Sequence, residues 1–567
     1  MRKIDSKKIF IIASIVVSII VVWIKLFFSS YWSVQDELHG ICLAHMMNKG
    51  DSLLSDIWSP MQLGSMIMLP FLRFYILLNK STEGVALFLR IMYFLLKTSL
   101  MLLCLNRLKK DAKLGIFGTF GILILYVFTV FNIDSITYNT IPSMGIMIIL
   151  TIISSPKDVK LDMFLCGMVL VFVVLAQPYC ALIYLFLIIH MGGVCVYYRK
   201  NKKQEEKNEQ LPYLSSINGI IWLTIGISVV AVLFCIFVFS RASINDLVDN
   251  IPCIFSEPDH ETDGIIGWFG KMWWGGYGFI FEYKTVTVLN VITIAFVSLG
   301  KKYKVKKETL LIIVLCVFLI SSGYVLLRRD SFLGNLIFVP CLWMVIEVYT
   351  VFFKELVQCR YIPGLLIILG YAAGIAFATN TGYLSVTASV VTAVTYMLII
   401  LEKIIKEKTL RRMIGIIAIF ILSETLITHV AAIGNGFLDL SEYKYVIDDG
   451  PLKGTITNKT IYDNYNKVIN DMNKLMPLED SSVLCCGTST PLAYLYLDVE
   501  YSTYGPCFFD MDYERYKLYL EKHPDKYPNV VYYETLEERD KNSFLYDYVT
   551  ENFSVIIEDD NSLTAKK

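Results

Sequence analysis

Two adjacent acids, Asp36 and Glu37, follow the first hydrophobic segment of the chain after a few residues. They lie in the stretch YWSVQDELHGICLAHMMNKGDSLLSDIWSP, residues 31–60, where aromatic residues crowd the side nearest that segment. A carboxylate at a membrane surface beside an apolar wall is a place where a lipid-linked substrate can meet a general base. The alternative is that both acids only solvate the helix end or cap the next helix. The pair is the first candidate for chemistry.

Arginines offer the complementary chemistry, because a phosphate group needs cations. Arg328 and Arg329, in LLRRDSFLGN, fall between two apolar segments, and guanidinium groups match phosphate oxygens in geometry. Pairing with Asp330 or contact with lipid headgroups is the alternative for these two arginines. Arg90 falls about seven residues inside an apolar segment, which is about 10 Å at 1.5 Å per residue. At that depth it needs a buried partner, for which Asp36 is a candidate, or a lipid phosphate.

One lysine and two histidines complete the candidate side chains. Lys271 lies in GWFGKMWWGGYGF, where indole rings could stack on sugar faces or form an ordinary interfacial aromatic belt. His39 and His45 follow the acid pair, but their separation does not place both on one helix face. No cluster of cysteine and histidine completes a metal site. The sequence therefore predicts no cofactor, and a divalent metal ion is an option that it does not support.

The composition places these residues in a membrane protein. The chain has 567 residues, of which 55% are hydrophobic and 18% charged, and its mean hydropathy is +0.55. Repeated apolar runs reach the length that crosses about 30 Å of hydrocarbon, which excludes a soluble multidomain protein. No small-residue cleavage site follows the run from Ile9 to Phe28, so we expect an uncleaved first span. The lipid bilayer is the first partner predicted.

Thirteen apolar segments predict an all-α polytopic membrane protein. They lie near residues 9–28, 84–105, 114–131, 141–153, 161–176, 179–198, 216–239, 285–299, 309–327, 332–353, 364–379, 384–401 and 413–433. Lys and Arg concentrate in connections such as NRLKKDAK, RKNKKQEEK and KKYKVKK, and the positive-inside rule makes these connections cytoplasmic. The N-terminus is then on the cytoplasmic side of the cell membrane, and the chain after about residue 434 is on the extracytoplasmic side.

One further apolar segment, residues 61–78, has the sequence MQLGSMIMLPFLRFYILL. Counting it as a span would move every later basic connection to the outside, and it holds Pro70 and Arg73 in its middle. We therefore predict an interfacial or re-entrant helix on the outer side, within a first outer loop at residues 29–83.

The last part of the chain differs in character from the rest. Residues 1–433 form the predicted membrane domain, whereas residues 434–567 are charged, acidic and rich in tyrosine. Short apolar runs such as SSVLCC, NVVYYE and FSVIIED alternate there with helical patterns, so we expect a small extracytoplasmic α/β domain. Its segment CCGTSTPLAYLY predicts a strand, a tight turn and a helix but matches no nucleotide-binding motif. No nucleic acid partner is expected.

The order of these features resembles the GT-C superfamily of membrane glycosyltransferases. The features are a first span, the outer-loop acids Asp36 and Glu37, a proline-containing turn, an interfacial helix, and Arg90 early in the second span. The pattern is similar to the branch with the protein mannosyltransferases and the bacterial aminoarabinose transferases of lipid A. The resemblance implies transfer of a sugar, with inversion, from a polyprenyl-phosphate-linked donor. The acceptor would be a glycan, lipid or protein of the cell envelope, on the outer membrane face.

The resemblance also implies roles for individual residues. By position Asp36 would be the general base that deprotonates an acceptor hydroxyl, and Glu37 a positioning group or second acid. Asp134, in FNIDSITYNTIP, matches the place of a further acid, and a helix cap before the next span is its alternative. The predicted cations for the donor phosphate are the four basic residues named above: Arg90, Arg328, Arg329 and Lys271.

Two other classes of function remain open on the sequence alone. A polysaccharide polymerase or ligase, or a flippase for lipid-linked oligosaccharides, would also be multi-spanning with outer loops, but it needs no acid pair in the first loop. A non-catalytic membrane protein could use its acidic outer domain to bind a partner. In that case the predicted acids and arginines would lie far apart.

Overall fold

The computed structural model of the protein describes most of the chain. It covers residues 6–30, 33–111, 115–130, 133–200, 217–255, 267, 270, 273, 281–328, 337–356, 361–378, 383–431 and 440–567, apart from 477, 479–480, 507–511 and 560–561. Helices α1 to α17 are Ser6–Lys25, Leu38–Lys49, Gln62–Asn79, Val85–Asp111, Ile116–Val127, Thr140–Ser154, Val159–Ala176, Ala181–Lys200, Ile217–Phe239, Ile244–Phe255, Lys284–Lys302, Lys307–Arg328, Phe338–Val351, Phe353–Leu356, Ile362–Ala378, Tyr383–Ile404 and Lys408–Ala431.

Ten of the described helices have the length and apolar composition needed to cross a membrane. They are α1, α3, α4, α7, α8, α9, α11, α12, α16 and α17, while α5, α6, α13 and α15 are shorter apolar helices. Each apolar segment predicted from the sequence overlaps one of these helices, and α3 is the segment predicted to be interfacial. The prediction of a helical, multi-pass membrane protein is therefore confirmed.

Glycine permits the close crossing of α7 and α9. A Cβ atom at Gly167 would fall 2.2 Å from the carbonyl oxygen of Leu223, and one at Gly226 would fall 2.1 Å from that of Phe164. Any larger residue at either position would push the two helices apart. Small residues at such crossings let helix backbones approach closely inside a membrane.

Polar contacts join several basic connections at one end of the helix bundle. Arg107, near the end of α4, pairs with Asp162 in the first turn of α7 at 2.7 Å. Lys403, near the end of α16, donates to the carbonyl oxygen of Ser154 at the end of α6 at 2.8 Å. Three of the connections that the sequence predicted to share one side of the membrane, those that follow α4, α6 and α16, therefore lie together.

The C-terminal unit, residues 440–567, has an α/β fold, as predicted. Its strands β1 to β7 are Tyr445–Val446, Ile456–Thr457, Ser482–Cys486, Glu500–Tyr501, Val530–Tyr533, Val555–Asp559 and Ser562–Lys566, and its helices α18 to α22 are Lys459–Leu475, Thr490–Leu497, Tyr513–Lys522, Glu538–Lys541 and Phe544–Asn552. The main sheet has the order β4-β3-β5-β7-β6, in which β3 is parallel to β4 and β5, and β7 is antiparallel to β5 and β6. Strands β1 and β2 form a separate antiparallel pair.

The first loop packs directly on the C-terminal unit. The backbone N–H of Ser29 donates to the carbonyl oxygen of Ile456 at 2.8 Å. His45 of α2 is buried there, with its Nδ1 2.7 Å from the Tyr501 hydroxyl and its Nε2 2.8 Å from a carboxylate oxygen of Asp498. Both ring nitrogens of His45 are thus committed to holding α2 against the C-terminal unit.

Both flanks of α3 also contact the C-terminal unit. Before α3, the backbone N–H of Trp58 donates to the carbonyl oxygen of Tyr504 at 2.9 Å. After α3, the backbone N–H of Gly84 donates to the carbonyl oxygen of Gly450, also at 2.9 Å. An α-helix rises 1.5 Å per residue, so α3 is about 27 Å long. Despite that length, the residues before and after it contact the same C-terminal unit.

Candidate functional site

The acid pair lies on a π-helical turn, Ser33–Glu37, that continues directly into α2. Consecutive residues of a helix point in different directions, so Asp36 keeps part of its surface exposed while Glu37 is buried. The turn is held by α2, whose buried Ile41 and Met46 belong to the hydrophobic core shared with the C-terminal unit. The two acids therefore sit in different environments although they are neighbours in sequence.

Glu37 forms a closed pair with Arg90 of α4. The Arg90 Nε donates to Glu37 Oε1 at 2.8 Å, and Nη2 donates to Oε2 at 2.6 Å. Nη1 donates to the carbonyl oxygens of Leu26 and Phe28 at 2.8 and 3.0 Å, and Nη2 also donates to the Ser29 hydroxyl at 3.1 Å. A guanidinium has five N–H groups, and these contacts use all of them.

Asp36 differs from Glu37 in having no hydrogen-bond or ion-pair partner among the residues that the structure describes. Burial of part of its surface raises the pKa of its carboxyl to about 6. His39, one helical turn further on, is also buried, which lowers its pKa to about 4. Near neutral pH Asp36 is therefore mostly deprotonated, yet its carboxylate is a stronger base than that of an ordinary aspartate, and His39 is neutral.

Asp134 lies in a buried cluster between the helices. Its carboxylate is 2.8 Å from Lys25 Nζ and 3.4 Å from His429 Nε2. Burial acts to raise the pKa of Asp134, but Lys25, followed by His429 and Lys97, holds it below its ordinary value. Asn139 occupies the N-cap position of α6, so Asp134 is not the cap of that helix. It is instead the carboxylate that compensates Lys25 at the end of α1 and lies beside His429 near the end of α17.

Three basic residues of this cluster, Lys25, Lys97 and His429, were missed by sequence reasoning. All three lie within apolar segments and are buried. The Lys97 ammonium donates to the carbonyl oxygen of Phe128 at 3.2 Å and lies 5.2 Å from the ring centroid of Tyr93. An ionisable residue inside an apolar span is costly unless it has a partner or a role. That rule was the signal that would have selected them.

The other cations predicted for a donor phosphate are only partly described. Arg328 ends α12 and is exposed, with its guanidinium 4.7 Å from the ring centroid of Tyr324. Within the described part of the chain, no contact joins Arg328 to the predicted acids. Arg329 and Lys271 lie outside the described residues.

The strand-turn-helix predicted from CCGTSTPLAYLY is present as β3, a turn and α19. Gly487 in the turn has a φ of +143°, and a Cβ atom there would lie 2.5 Å from the Cβ of Glu534. The Glu534 carboxylate accepts hydrogen bonds from the backbone N–H and hydroxyl of Ser489 at 2.7 and 2.9 Å. The start of α19, where a phosphate would bind in a nucleotide site, thus holds the protein's own carboxylate.

Of the three predicted acids, Glu37 and Asp134 form ion pairs in the structure, whereas the carboxylate of Asp36 remains available. Lys25 interacts electrostatically with both Glu37 and Arg90 as well as with Asp134, so the two buried clusters are neighbours. Only Asp36, among the three predicted acids, has neither a cation nor a hydrogen-bond donor at its carboxylate in the described structure. The arrangement can supply a general base beside a rigid, charge-compensated support.

Comparisons with known proteins do not assign the chain to a family. No family model matches it, and no curated protein matches it at a significant level.

Proposed function

We propose that the protein is a membrane glycosyltransferase of the GT-C type. It would transfer a sugar from a polyprenyl-phosphate-linked donor to a hydroxyl of a cell-envelope acceptor, on the outer face of the membrane. The observation that carries the proposal is the state of Asp36, a half-buried carboxylate with no partner in the described structure and a pKa raised to about 6. A general base works best when its pKa lies near the working pH.

The proposed topology has thirteen spans, with α3 lying along the outer surface. Both flanks of α3 hydrogen-bond to the C-terminal unit, which supports a helix that does not cross from one side to the other. The remaining nine long helices and the four shorter ones correspond to the thirteen predicted spans. Under the positive-inside rule the connections rich in Lys and Arg are cytoplasmic, and the C-terminal unit and Asp36 are extracytoplasmic.

In the proposed reaction the acceptor hydroxyl loses its proton to Asp36. The acceptor oxygen forms a bond to the anomeric carbon of the donor sugar, while the bond from that carbon to the phosphate oxygen breaks. The electron pair of the broken bond leaves with polyprenyl phosphate, and direct displacement inverts the anomeric carbon. Placement of the hydroxyl in line with the leaving group is the other requirement, which a rigid first loop serves.

The charged residues around Asp36 divide into two proposed roles. Glu37 and Arg90 position the turn, because every N–H of Arg90 already has a protein acceptor. Asp134 fixes Lys25 at the end of α1. Contact with the donor phosphate is left to Arg328, together with Arg329 and Lys271, because an exposed guanidinium at an outer helix end keeps donors available.

Replacement of Asp36 by asparagine tests the proposal. The purified Asp36→Asn variant in proteoliposomes should transfer sugar from polyprenyl-phosphate donors about 10²–10⁴-fold more slowly than the wild type, which is the usual size of a general-base effect. Glu83→Gln is the matched control: Glu83 lies in the same loop, and its ion pair with Lys453 is largely exposed. It should keep the wild-type rate.

Two outcomes would oppose the proposal. Transfer by Asp36→Asn at close to the wild-type rate would remove Asp36 as the base. Movement of a lipid-linked sugar across the bilayer by the wild-type protein, without any covalent transfer, would favour a flippase instead.

A further inference from the structure

Helix α10, Ile244–Phe255, exposes a continuous apolar stripe. Ile244, Val248, Ile251 and Phe255 are between 37% and 67% exposed. Their spacing of four, three and four residues places them on one face of the helix. Four large apolar side chains in a row on a soluble surface are costly, so this face requires a partner.

The other face of α10 is fixed against the first loop and the C-terminal unit. The indole N–H of Trp58 donates to the Asn250 side-chain oxygen at 3.1 Å. The Arg515 guanidinium donates to the carbonyl oxygen of Cys253 at 2.8 Å, and Lys522 donates to that of Asp249 at 3.2 Å. These contacts prevent α10 from rotating, so the stripe points away from the C-terminal unit.

The short link between α9 and α10 indicates that lipid covers the stripe. Helix α9 is a candidate membrane span that ends at Phe239, and only residues 240–243 separate it from α10. The last turns of α9 expose Ile236 and Phe239, which in a membrane face lipid. Because so short a link cannot carry α10 far from the end of the span, the stripe starts at the depth of the membrane surface.

Charges flanking the stripe are arranged as a lipid surface requires. Asp246 lies on the face of α10 opposite the stripe, and its carboxylate interacts with His523 of the C-terminal unit. Arg241, in the link before α10, is exposed and lies within electrostatic range of Arg73 on α3. Arg241 precedes the stripe by three residues, and both acids of α10, Asp246 and Asp249, lie off the stripe. This arrangement fits the phosphate groups of a bilayer.

We infer that α10 lies in the interfacial layer of the outer leaflet, with its apolar stripe embedded in lipid. The helix then fixes the C-terminal unit at a set height above the membrane through the carbonyl oxygens of Asp249 and Cys253. This inference does not depend on the proposed enzymatic activity, since it rests on the exposed face, its fixed orientation and the short link to α9.

Site-specific fluorescence tests the inference on the full-length protein in lipid nanodiscs. An azide-bearing amino acid at Val248 would carry an environment-sensitive dye, and the same label at Ile557 is the control. Ile557 is also exposed, at 45% against 67% for Val248, but it lies on β6, the edge strand farthest from β4 in the sheet. Lipids with a nitroxide near the headgroup should quench the Val248 dye at least about twofold more than the Ile557 dye.

The alternatives give different results. Equal quenching at Val248 and Ile557 would overturn the inference. A Val248 dye whose emission is blue-shifted but not quenched by nitroxide lipids would show that protein, either a second copy or another part of this chain, covers the stripe. This result would also overturn the inference.

The double variant Val248→Asp/Ile251→Asp should keep its melting temperature in detergent and lose protection of the C-terminal unit from protease in nanodiscs.

Discussion

The guanidinium of Arg90 binds the carboxylate of Glu37 through two hydrogen bonds of 2.8 and 2.6 Å, in a site where both side chains are almost fully buried. The two residues are 53 positions apart in the chain. Their pairing ties the turn that carries Asp36 to the second predicted span. It also compensates an arginine that would otherwise be an isolated charge inside an apolar helix.

Loss of the ion pair between Glu37 and Arg90 should destabilise the folded protein. Arg90→Met leaves the Glu37 carboxylate buried without a counter-charge, and removal of one partner of a buried pair typically costs about 3–5 kcal/mol. We expect a clear fall in the melting temperature of the detergent-solubilised protein. The double variant Glu37→Leu/Arg90→Met should recover part of the loss, because no charge then remains unpaired. A melting temperature of Arg90→Met equal to that of the wild type would contradict a structural role for the pair.

Asp36 should make transfer depend on pH in one direction. The base must be deprotonated to accept a proton, and its pKa is raised to about 6. The rate should therefore rise with pH through about 6 and level off above it, falling about tenfold per unit at lower pH. His39 does not account for such an inflection, because its pKa is lowered to about 4. A pH-rate profile in proteoliposomes measures this.

A second acid provides the control for that profile. Burial raises the pKa of Asp51 to about 6 as well, although Lys526 partly opposes the shift. Asp51 pairs with Lys526, so the Asp51→Asn variant should keep the inflection of the wild type. Loss of the inflection in Asp51→Asn, or a flat profile in the wild type, would argue against Asp36 as the titrating base.

Trp58 should hold the C-terminal unit on the membrane domain. Its side chain is fully buried, with ring centroids 5.6 Å from Tyr504 and 5.1 Å from Tyr519. Replacement of a buried aromatic residue by alanine costs about 3–5 kcal/mol. Trp58→Ala should therefore lower the melting temperature and make the C-terminal unit easier to release by limited proteolysis.

Trp23 is the matched control for Trp58. It is 37% exposed on α1, and its ring packs 5.0 Å from that of Phe94 on α4, so alanine there removes less buried surface and leaves the contacts of the C-terminal unit in place. Trp23→Ala should lower the melting temperature less than Trp58→Ala does, and it should leave the proteolytic release of the C-terminal unit as in the wild type. Equal effects of the two replacements would show that Trp58 has no special part in docking.

Much of the fold could be predicted from the sequence, because its signals are local. Apolar runs long enough to cross hydrocarbon located the candidate membrane spans, and short β-branched and aromatic runs located the strands β3, β5 and β6. The clustering of lysine and arginine in alternate connections predicted which of them lie together, and Arg107 and Lys403 do join such connections. Each of these signals lies within a few residues of the element it predicts.

The sequence by itself also determined that an acid pair follows the first span, but only the tertiary structure decided what each acid does. Asp36 and Glu37 look equivalent as neighbours in a loop. Arg90 binds Glu37, and the partial burial of Asp36 raises its pKa. Likewise Asp134 acquires Lys25 as its partner from a distant helix. The physical reason is that burial and charge pairing depend on which parts of the chain meet in space, whereas hydrophobicity and periodicity are written along the chain.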